Sequence, residues 1–248
     1  MKYSKEKWKV YEVNSMYQWI SEVIKNEYKF VKALKNSELS KVLVYRHKET
    51  GRKIIVRHIK DGVDVYEKML ELKCENLPII YEVVQGDEDA IVMEEYISGM
   101  TIGDILQSGT YTDDGVKEIV SQVCRGLGML HYHGIIHRDI KPDNVMISDD
   151  GQVKLIDFNA SRIYKKDENK DTRILGTTGY AAPEQYGLNQ TDPRTDIYAL
   201  GVLINIMLTG EHPSKVMCKG KFRKIVKKAV NINPDDRYQS CQELMEAL

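Results

Sequence analysis

Residues 137–144 read His-Arg-Asp-Ile-Lys-Pro-Asp-Asn, and residues 157–159, which follow a short apolar run, read Asp-Phe-Asn. The first segment places an acid, Asp139, a base, Lys141, and an amide, Asn144, within a few positions of one another. An aspartate after a histidine and an arginine could simply cap a turn, because aspartate is common in turns. The surrounding residues decide between a turn and a functional site.

Both segments resemble the catalytic loop and the metal-binding loop of protein kinases. The resemblance implies that Asp139 orients the attacking hydroxyl group and that Lys141 offsets charge on the transferred group. It also implies that Asn144 and Asp157 bind magnesium. Phosphoryl transfer needs a carboxylate, oxygen ligands for the metal and cations, so these residue types fit the chemistry. Because four residues with these roles occur at the spacing of the family, a catalytic site is favoured over a simple turn.

The resemblance extends to the substrate and to the neighbouring side chains. A lysine two positions after Asp139 is typical of serine/threonine kinases rather than tyrosine kinases. The implied reaction is transfer of the ATP γ-phosphate to serine or threonine hydroxyls of proteins, autophosphorylation included. The implied cofactors are ATP and Mg²⁺, with Mn²⁺ as an alternative cation. The resemblance implies structural roles for three neighbouring residues, His137, Arg138 and Phe158. Of these, His137 is expected to be a packed scaffold residue rather than a proton shuttle.

Residues 176–184, Gly-Thr-Thr-Gly-Tyr-Ala-Ala-Pro-Glu, look like the end of a kinase activation segment. The resemblance implies a pair between Glu184 and Arg237, and it identifies Asp196 as the anchor in the next helix. By the same resemblance Thr177 contacts Asp139 and Lys141. The run at 176–187 is similar to kinases of Gram-positive bacteria.

Thr172 is a candidate regulatory phosphorylation site. Arg138 offers a basic partner for an added phosphate, which would order the loop through charge-assisted hydrogen bonds. The alternative interpretation is an ordinary exposed loop.

The rest of the pattern predicts an α+β, bilobal protein kinase fold. Met16, Ile20 and Ile24 recur at helical spacing, with Trp19 and Val23 beside them, and we expect that helix to pack on the following domain. Short β-rich runs split by turns follow from residue 28, whereas helical periodicity dominates from residue 113 onward. The predicted divisions are an N-terminal helical extension at 1–27, a small β lobe at 28–95 and a larger helical lobe at 96–248.

The predicted nucleotide-binding lobe departs from the family pattern. The three glycine positions of the glycine-rich loop correspond to Lys35, Ser37 and Ser40, so the backbone freedom of glycine is missing there. Arg57 replaces the phosphate-binding lysine, which keeps the charge and changes the shape. An ungapped alignment puts Val65 where the acid partner of that lysine should be, and Asp64 or Glu67 could serve only after a register shift. Asn159 replaces the last glycine of the metal motif, where asparagine tolerates a left-handed backbone.

The resemblance also assigns the adenine pocket. Val42 and Met146 would sandwich the ring, and Ile55 is larger than the alanine expected over it. Glu94 would guard the back of the pocket, and the backbone from Glu95 to Ile97 would bind adenine.

Two further functions stand beside the active kinase. The altered loop, Arg57 and Val65 fit a pseudokinase-like binding or regulatory module with little or no phosphotransfer. A kinase of small metabolites shares the catalytic aspartate and the metal ligands, but the Ala-Pro-Glu segment at 182–184 disfavours it. Phosphate transfer that is lost in an Asp139→Ala variant would distinguish an active kinase from the pseudokinase-like module.

Composition bounds the class of protein. Hydrophobic residues make up 42% and charged residues 29%, as in folded water-soluble domains. Lysine and arginine number 36 against 37 acids, which gives no overall attraction to nucleic acid or anionic membranes. The four cysteines show no metal-ligand spacing and the N-terminus lacks a signal-peptide core, so we expect a cytoplasmic protein with free thiols. The chain ends within the expected last helix, which leaves a longer natural protein open.

Overall fold

The computed structural model of the chain describes residues 5–37, 40–164, 177–186 and 190–248, with residues 5–14 as backbone only. The chain divides into two compact units, Met1–Leu72 with Pro78–Tyr96 and Lys73–Leu77 with Ile97–Leu248. A β-sheet dominates the first unit and helices dominate the second, which confirms the α+β, bilobal class. No helix in the described ranges combines the length and the apolar character that a bilayer crossing requires.

The first unit is an antiparallel sheet with one helix before it and one within it. Its described strands lie in the order β1-β2-β3-β5-β4. The β2–β3 hairpin turns through residues 48–51, where Gly51 has a positive φ of 72°. The elements are α1 (Lys5–Glu27), β1 (Tyr28–Asn36), β2 (Ser40–His47), β3 (Lys53–Ile59), α2 (Val63–Met69), β4 (Ile80–Gln85) and β5 (Ala90–Glu95).

Helix α1 packs on one face of this sheet, as its periodicity predicted. Ile20 and Ile24 are buried in a cluster with residues of β3, β4 and β5, namely Ile54, Val56, Val84, Ile91 and Met93. Met16 was also expected on the packing face, but half of it is exposed, and Tyr17 packs against the cluster instead. The Tyr17 hydroxyl donates to Asp89 Oδ1 at 2.5 Å, which ties the helix to the start of β5.

The opposite face of the sheet carries a second apolar cluster. Val42, Val44 and Ile55 are buried together, with Tyr96 packed against them. Because successive side chains of a strand point to opposite faces, the three consecutive apolar residues of β3, at 54–56, supply both clusters.

The second unit is built around two buried helices. Helix α4 begins after Thr112, whose side chain accepts a hydrogen bond from Gly115 N, and ends before Gly134. Helix α5 begins after Asp192 with Pro193 in its first turn and ends at Gly210 in the left-handed conformation. The elements are β6 (Gly99–Thr101), α3 (Ile102–Leu106), α4 (Asp113–Tyr132), β7 (Ile135–Ile136), β8 (Val145–Ser148), β9 (Val153–Leu155), β10 (Arg162–Ile163), α5 (Pro193–Thr209), α6 (Gly220–Ala229) and α7 (Cys241–Ala247).

Close packing of α5 explains its apolar sequence. The helix has buried residues along most of its length, from Thr195 to Met207. A Cβ atom on Gly201 would lie 2.6 Å from the Cβ atom of Ala229, so α5 and α6 approach closely at this glycine.

Residues 73–77 belong to the second unit, although they lie between two elements of the first. The Asn76 side chain donates to Gln122 Oε1 at 3.2 Å and to Val153 O at 2.8 Å. Its carbonyl oxygen accepts from Leu155 N at 3.0 Å. These buried bonds hold the segment against α4 and β9, because unpaired polar groups there would be costly.

Candidate active site

The catalytic loop lies between β7 and a 3₁₀ helix at Pro142–Asn144, and the buried carboxylate of Asp196 anchors it. Asp196 Oδ1 accepts from Arg138 N at 2.7 Å, and Oδ2 accepts from His137 N at 2.9 Å. His131 Nε2 lies 2.8 Å from the same Oδ2. Burial alone would raise the pKa of Asp196, but these hydrogen bonds and charges lower it below its usual value.

Two residues of the motifs have strained backbone conformations. Arg138 has a φ of 67° and Asp157 a φ of 63°, and apart from glycines they are the positive-φ residues in the described ranges. Such strain occurs where the surrounding structure holds the chain in place, often at functional sites. Asn159, whose residue type tolerates a left-handed backbone, does not have a positive φ in this structure.

Asp139 lies at the centre of a hydrogen-bond network. Its Oδ2 accepts from Lys141 Nζ and from Asn144 Nδ2, each at 2.8 Å. Its Oδ1 accepts from the Thr177 hydroxyl at 2.6 Å, and Lys141 Nζ also donates to Thr177 Oγ1 at 2.8 Å. The contacts predicted for Thr177 are therefore present, and they bring a hydroxyl group to the carboxylate.

The charge state of Asp139 follows from these bonds. Burial would raise its pKa, but the hydrogen bonds from Lys141 and Thr177 outweigh burial and lower the pKa below its usual value. The carboxylate is therefore ionised at neutral pH and can accept a hydrogen bond from a hydroxyl group. That is the state a group needs to orient an attacking alcohol.

Asn144 and Asp157 carry the oxygen atoms suited to a divalent cation. Asn144 uses its Nδ2 to donate to the Asp139 carbonyl and carboxylate, so its Oδ1 is the atom suited to a metal. Asp157 is half-buried. The described ranges contain no cluster of three His, Cys, Asp or Glu side chains that could hold a metal. Two oxygen ligands fit Mg²⁺, which keeps waters or phosphate oxygens in its remaining positions.

His137 is enclosed between the two motifs. It is fully buried, its ring lies 5.1 Å from the ring of Phe158, and burial lowers its pKa. A neutral, enclosed imidazole packs the two loops together and is a poor proton shuttle.

Arg237 pairs with Glu184 through two hydrogen bonds. Nη1 donates to Oε1 at 2.7 Å, and Nη2 donates to Oε2 at 2.9 Å. The other three N–H groups of Arg237 donate to backbone carbonyls, those of Asn231, Arg194 and Ile232. All five N–H groups of the guanidinium donate hydrogen bonds, so Arg237 has no unpaired donor although it is only 1% exposed.

In the first unit, Arg57 on β3 pairs with Glu94 on β5. Arg57 Nε and Nη2 lie 2.8 and 2.7 Å from Glu94 Oε1, and both side chains are buried. Val65, at the expected position of the acid partner, is buried in the apolar core. Neither alternative acid replaces it, because Asp64 accepts a hydrogen bond from Val65 N in its own helix and Glu67 is exposed.

The predicted adenine-binding residues divide between the units. Val42 and Ile55 share one apolar cluster in the first unit. Glu95 also lies in this unit, and its N–H donates to Ile79 O at 2.8 Å. Ile97 and Met146 lie in the second unit, both half-buried.

Sequence reasoning missed three contacts of the predicted site residues. It did not pair Glu94 with Arg57, although an acid in an otherwise apolar strand is a visible signal. It missed His131, and it missed Gln185, whose Nε2 donates to Arg138 O at 2.9 Å. No local sequence pattern indicates the contacts of His131 and Gln185. Thr172 lies outside the described residues.

Comparisons with known proteins agree with this geometry. The family model described as the protein kinase domain matches residues 28–248. The chain is 35% identical over 190 residues to the serine/threonine-protein kinase PknB of Mycolicibacterium smegmatis, covering 66% of this chain and 30% of that protein. It is 30% identical over 174 residues to the probable serine/threonine-protein kinase PknB of Lactococcus lactis, covering 67% of this chain and 28% of the relative.

A eukaryotic relative matches over a shorter range. The chain is 37% identical over 150 residues to the striated muscle preferentially expressed protein kinase of Danio rerio, covering 60% of this chain and 5% of that protein. The chain thus spans less than a third of the length of these curated relatives. Because the family match runs through both motifs and the residues around Asp139 form one connected network, the chain belongs to the protein kinase domain family.

Proposed function

We propose that this chain is a serine/threonine protein kinase that transfers the γ-phosphate of ATP to serine or threonine hydroxyls of protein substrates. The observation that carries the proposal is the ionised Asp139 carboxylate, which already accepts a hydrogen bond from the hydroxyl of Thr177 at 2.6 Å. A substrate hydroxyl needs the same acceptor.

Residues of the second unit have separate roles in phosphate transfer. Asp139 orients the substrate hydroxyl and accepts its proton, and Lys141 lies beside it to offset charge on the transferred group. Asn144 and Asp157 would hold Mg²⁺, which would offset the negative charge of the phosphate oxygens. The arrangement of Thr177 between Asp139 and Lys141 supports a role in forming the substrate-binding surface.

Residues from both units are assigned to the nucleotide. Arg57 provides the cation for the ATP phosphates in place of lysine, since arginine also binds phosphate. Val42, Ile55 and Met146 provide apolar surface for adenine, and the backbone from Glu95 to Ile97 provides its hydrogen bonds. The glycine-free segment at 35–40 predicts weaker binding of ATP than in relatives with the full loop.

The proposal extends to organisation and location. Residues 28–95 and 96–248 form the two lobes of one kinase domain, and residues 1–27 precede it as an N-terminal extension, of which Tyr17, Ile20 and Ile24 pack on the β-sheet. The four cysteines are free, which supports a reducing cytoplasmic location. The nearly balanced charge supports protein substrates rather than nucleic acid.

The test is phosphate transfer by the purified chain. The protein is incubated with labelled ATP and Mg²⁺ or Mn²⁺, beside Asp139→Asn, with a generic protein substrate and mass spectrometry of residues 157–184. We expect transfer by the parent and a loss of about 100- to 10,000-fold in Asp139→Asn, which keeps the side-chain shape and removes the charge. Phosphate on Thr172 would support its regulatory role.

The opposite outcome identifies the pseudokinase-like module. If the parent binds nucleotide in a thermal-shift assay and transfers no phosphate with either cation, the protein is a binding module. If Asp139→Asn transfers as fast as the parent, Asp139 is not the catalytic residue.

A further inference from the structure

The side chains of Arg57 and Glu94 lie on one face of two neighbouring strands. In the antiparallel β3–β5 pair, Ile55 is opposite Glu94 and Arg57 is opposite Val92. Arg57 and Glu94 are thus diagonal neighbours on the same face, within reach of long side chains. The side chains are 6% and 5% exposed, and Arg57 Nε and Nη2 both contact the same oxygen of Glu94, Oε1.

The position of this pair depends on the sheet and not on a helix. The backbone ladder between β3 and β5 fixes both Cα atoms. Helix α2 contributes apolar side chains to the same unit, with Val65, Tyr66 and Met69 buried. Its acids at 64 and 67 are exposed. The ion pair can therefore persist whatever the position of α2.

The bonds of Glu94 point to Arg57 as its partner. Oε2 of Glu94 is buried and has no hydrogen-bond partner among the described residues. A buried carboxylate whose bonds run to one guanidinium is strongly coupled to it, because removing either member leaves the other charge buried. The two positions should therefore behave as one unit in any measurement that depends on Arg57.

We propose that Glu94 is the positioning residue for the phosphate-binding cation, and that it replaces the helix acid of the family pattern with an acid in the sheet. The inference rests on the proposed function, because it takes Arg57 as the residue that binds the ATP phosphates. Glu94 acts through Arg57 and need not touch the nucleotide. Its consequence is that alignment of the cation is independent of helix α2.

A double-mutant cycle on nucleotide binding tests the coupling. The dissociation constants for ATP with Mg²⁺, and for a non-hydrolysable ATP analogue, are measured for the full chain. The variants are Glu94→Gln, Arg57→Met and the double variant. We expect Glu94→Gln to weaken binding at least about tenfold in the parent. In the Arg57→Met background the same change should alter binding by less than about twofold.

Controls separate positioning from folding. Glu82→Gln makes the same chemical change at an exposed residue of β4 and should leave binding within about twofold of the parent. If Glu94→Gln is unfolded at the assay temperature, Glu94→Asp replaces it, because it keeps the charge and withdraws the carboxylate by one methylene. The criterion is unchanged: a loss in the parent that disappears in the Arg57→Met background.

Each result decides the matter. Equal losses in both backgrounds, or no loss in the parent, overturn the positioning role while leaving the proposed kinase function intact. Nucleotide binding without phosphate transfer removes the proposed function, and the binding cycle still decides the role of Glu94. A parent that does not bind nucleotide overturns both.

Discussion

Arg57 keeps the positive charge of the residue it replaces and changes its partner. A guanidinium presents a rigid fork of donors, and here two of its N–H groups contact one oxygen of Glu94. A lysine ammonium is a compact point charge on a flexible chain and cannot present two N–H groups in that geometry. We therefore expect arginine to suit this position better than the lysine of the family pattern.

The first prediction is that Arg57→Lys, although it restores the family residue, lowers kcat/KM for ATP by about tenfold. The loss arises because lysine cannot reproduce the two contacts to Glu94 in the sheet. Steady-state kinetics with varied ATP would measure it. An activity equal to or above that of the parent would contradict this account of the arginine.

At the scale of elements, two kinds of contact join distant segments. Helix α1 adds an apolar face to a sheet that would otherwise expose Ile54, Val56, Ile91 and Met93 on that side. In the second unit, a buried ion pair joins the 3₁₀ helix at Pro183–Tyr186 to the segment before α7. The first contact follows from the hydrophobic effect, and the second follows from complete hydrogen bonding of a buried charge.

The ion pair predicts a large loss of stability from one change. Arg237→Met should lower the free energy of unfolding by about 3–5 kcal/mol, because Glu184 is left buried and charged. Urea unfolding at pH 7 measures the loss. Lys215→Met is the matched control, since its pair with Glu211 is exposed and should contribute at most about 1 kcal/mol. Comparable losses in the two variants would contradict the prediction.

The contact between α1 and the sheet predicts which residues of α1 contribute to stability. Ile24→Ala removes a buried side chain from the cluster on the sheet and should cost about 2–5 kcal/mol of stability. Met16→Ala, on the same helix and half exposed, should change stability by less than about 0.5 kcal/mol. Thermal unfolding of both variants would compare them, and an equal effect would show that α1 is not docked through this face.

At the scale of the whole molecule, stability depends on buried acids more than on net charge. The formal net charge is −1 at pH 7, so overall repulsion is small near neutrality. Asp139 and Asp196 both have pKa values below the usual range because hydrogen bonds favour their ionised forms. Asp196 holds the catalytic loop, so its protonation affects both folding and the site.

The sign of the pH dependence follows from the lowered pKa values. These two acids contribute stability that is fully present above their unfolded pKa of about 3.9 and is lost as the pH falls through their lower folded values. Urea unfolding between pH 7 and pH 3 should show falling stability below about pH 4. Asp196→Asn should be less stable at pH 7 and should fall less steeply with acid. A slope identical to that of the parent would contradict the role of Asp196.

The sequence by itself determined the fold class and the catalytic loop. Asp139, Lys141 and Asn144 lie within one short segment, so local spacing brings them together, and the family resemblance supplied Thr177, Asp196 and the Glu184–Arg237 pair. The tertiary structure decided the partner of Arg57, which is 37 positions away on another strand. It also placed Tyr17 rather than Met16 on the sheet, and it assigned residues 73–77 to the second unit. Contacts of this kind depend on strand register and on which face of a helix is buried, and hydrophobic periodicity defines that face only to within a neighbouring residue.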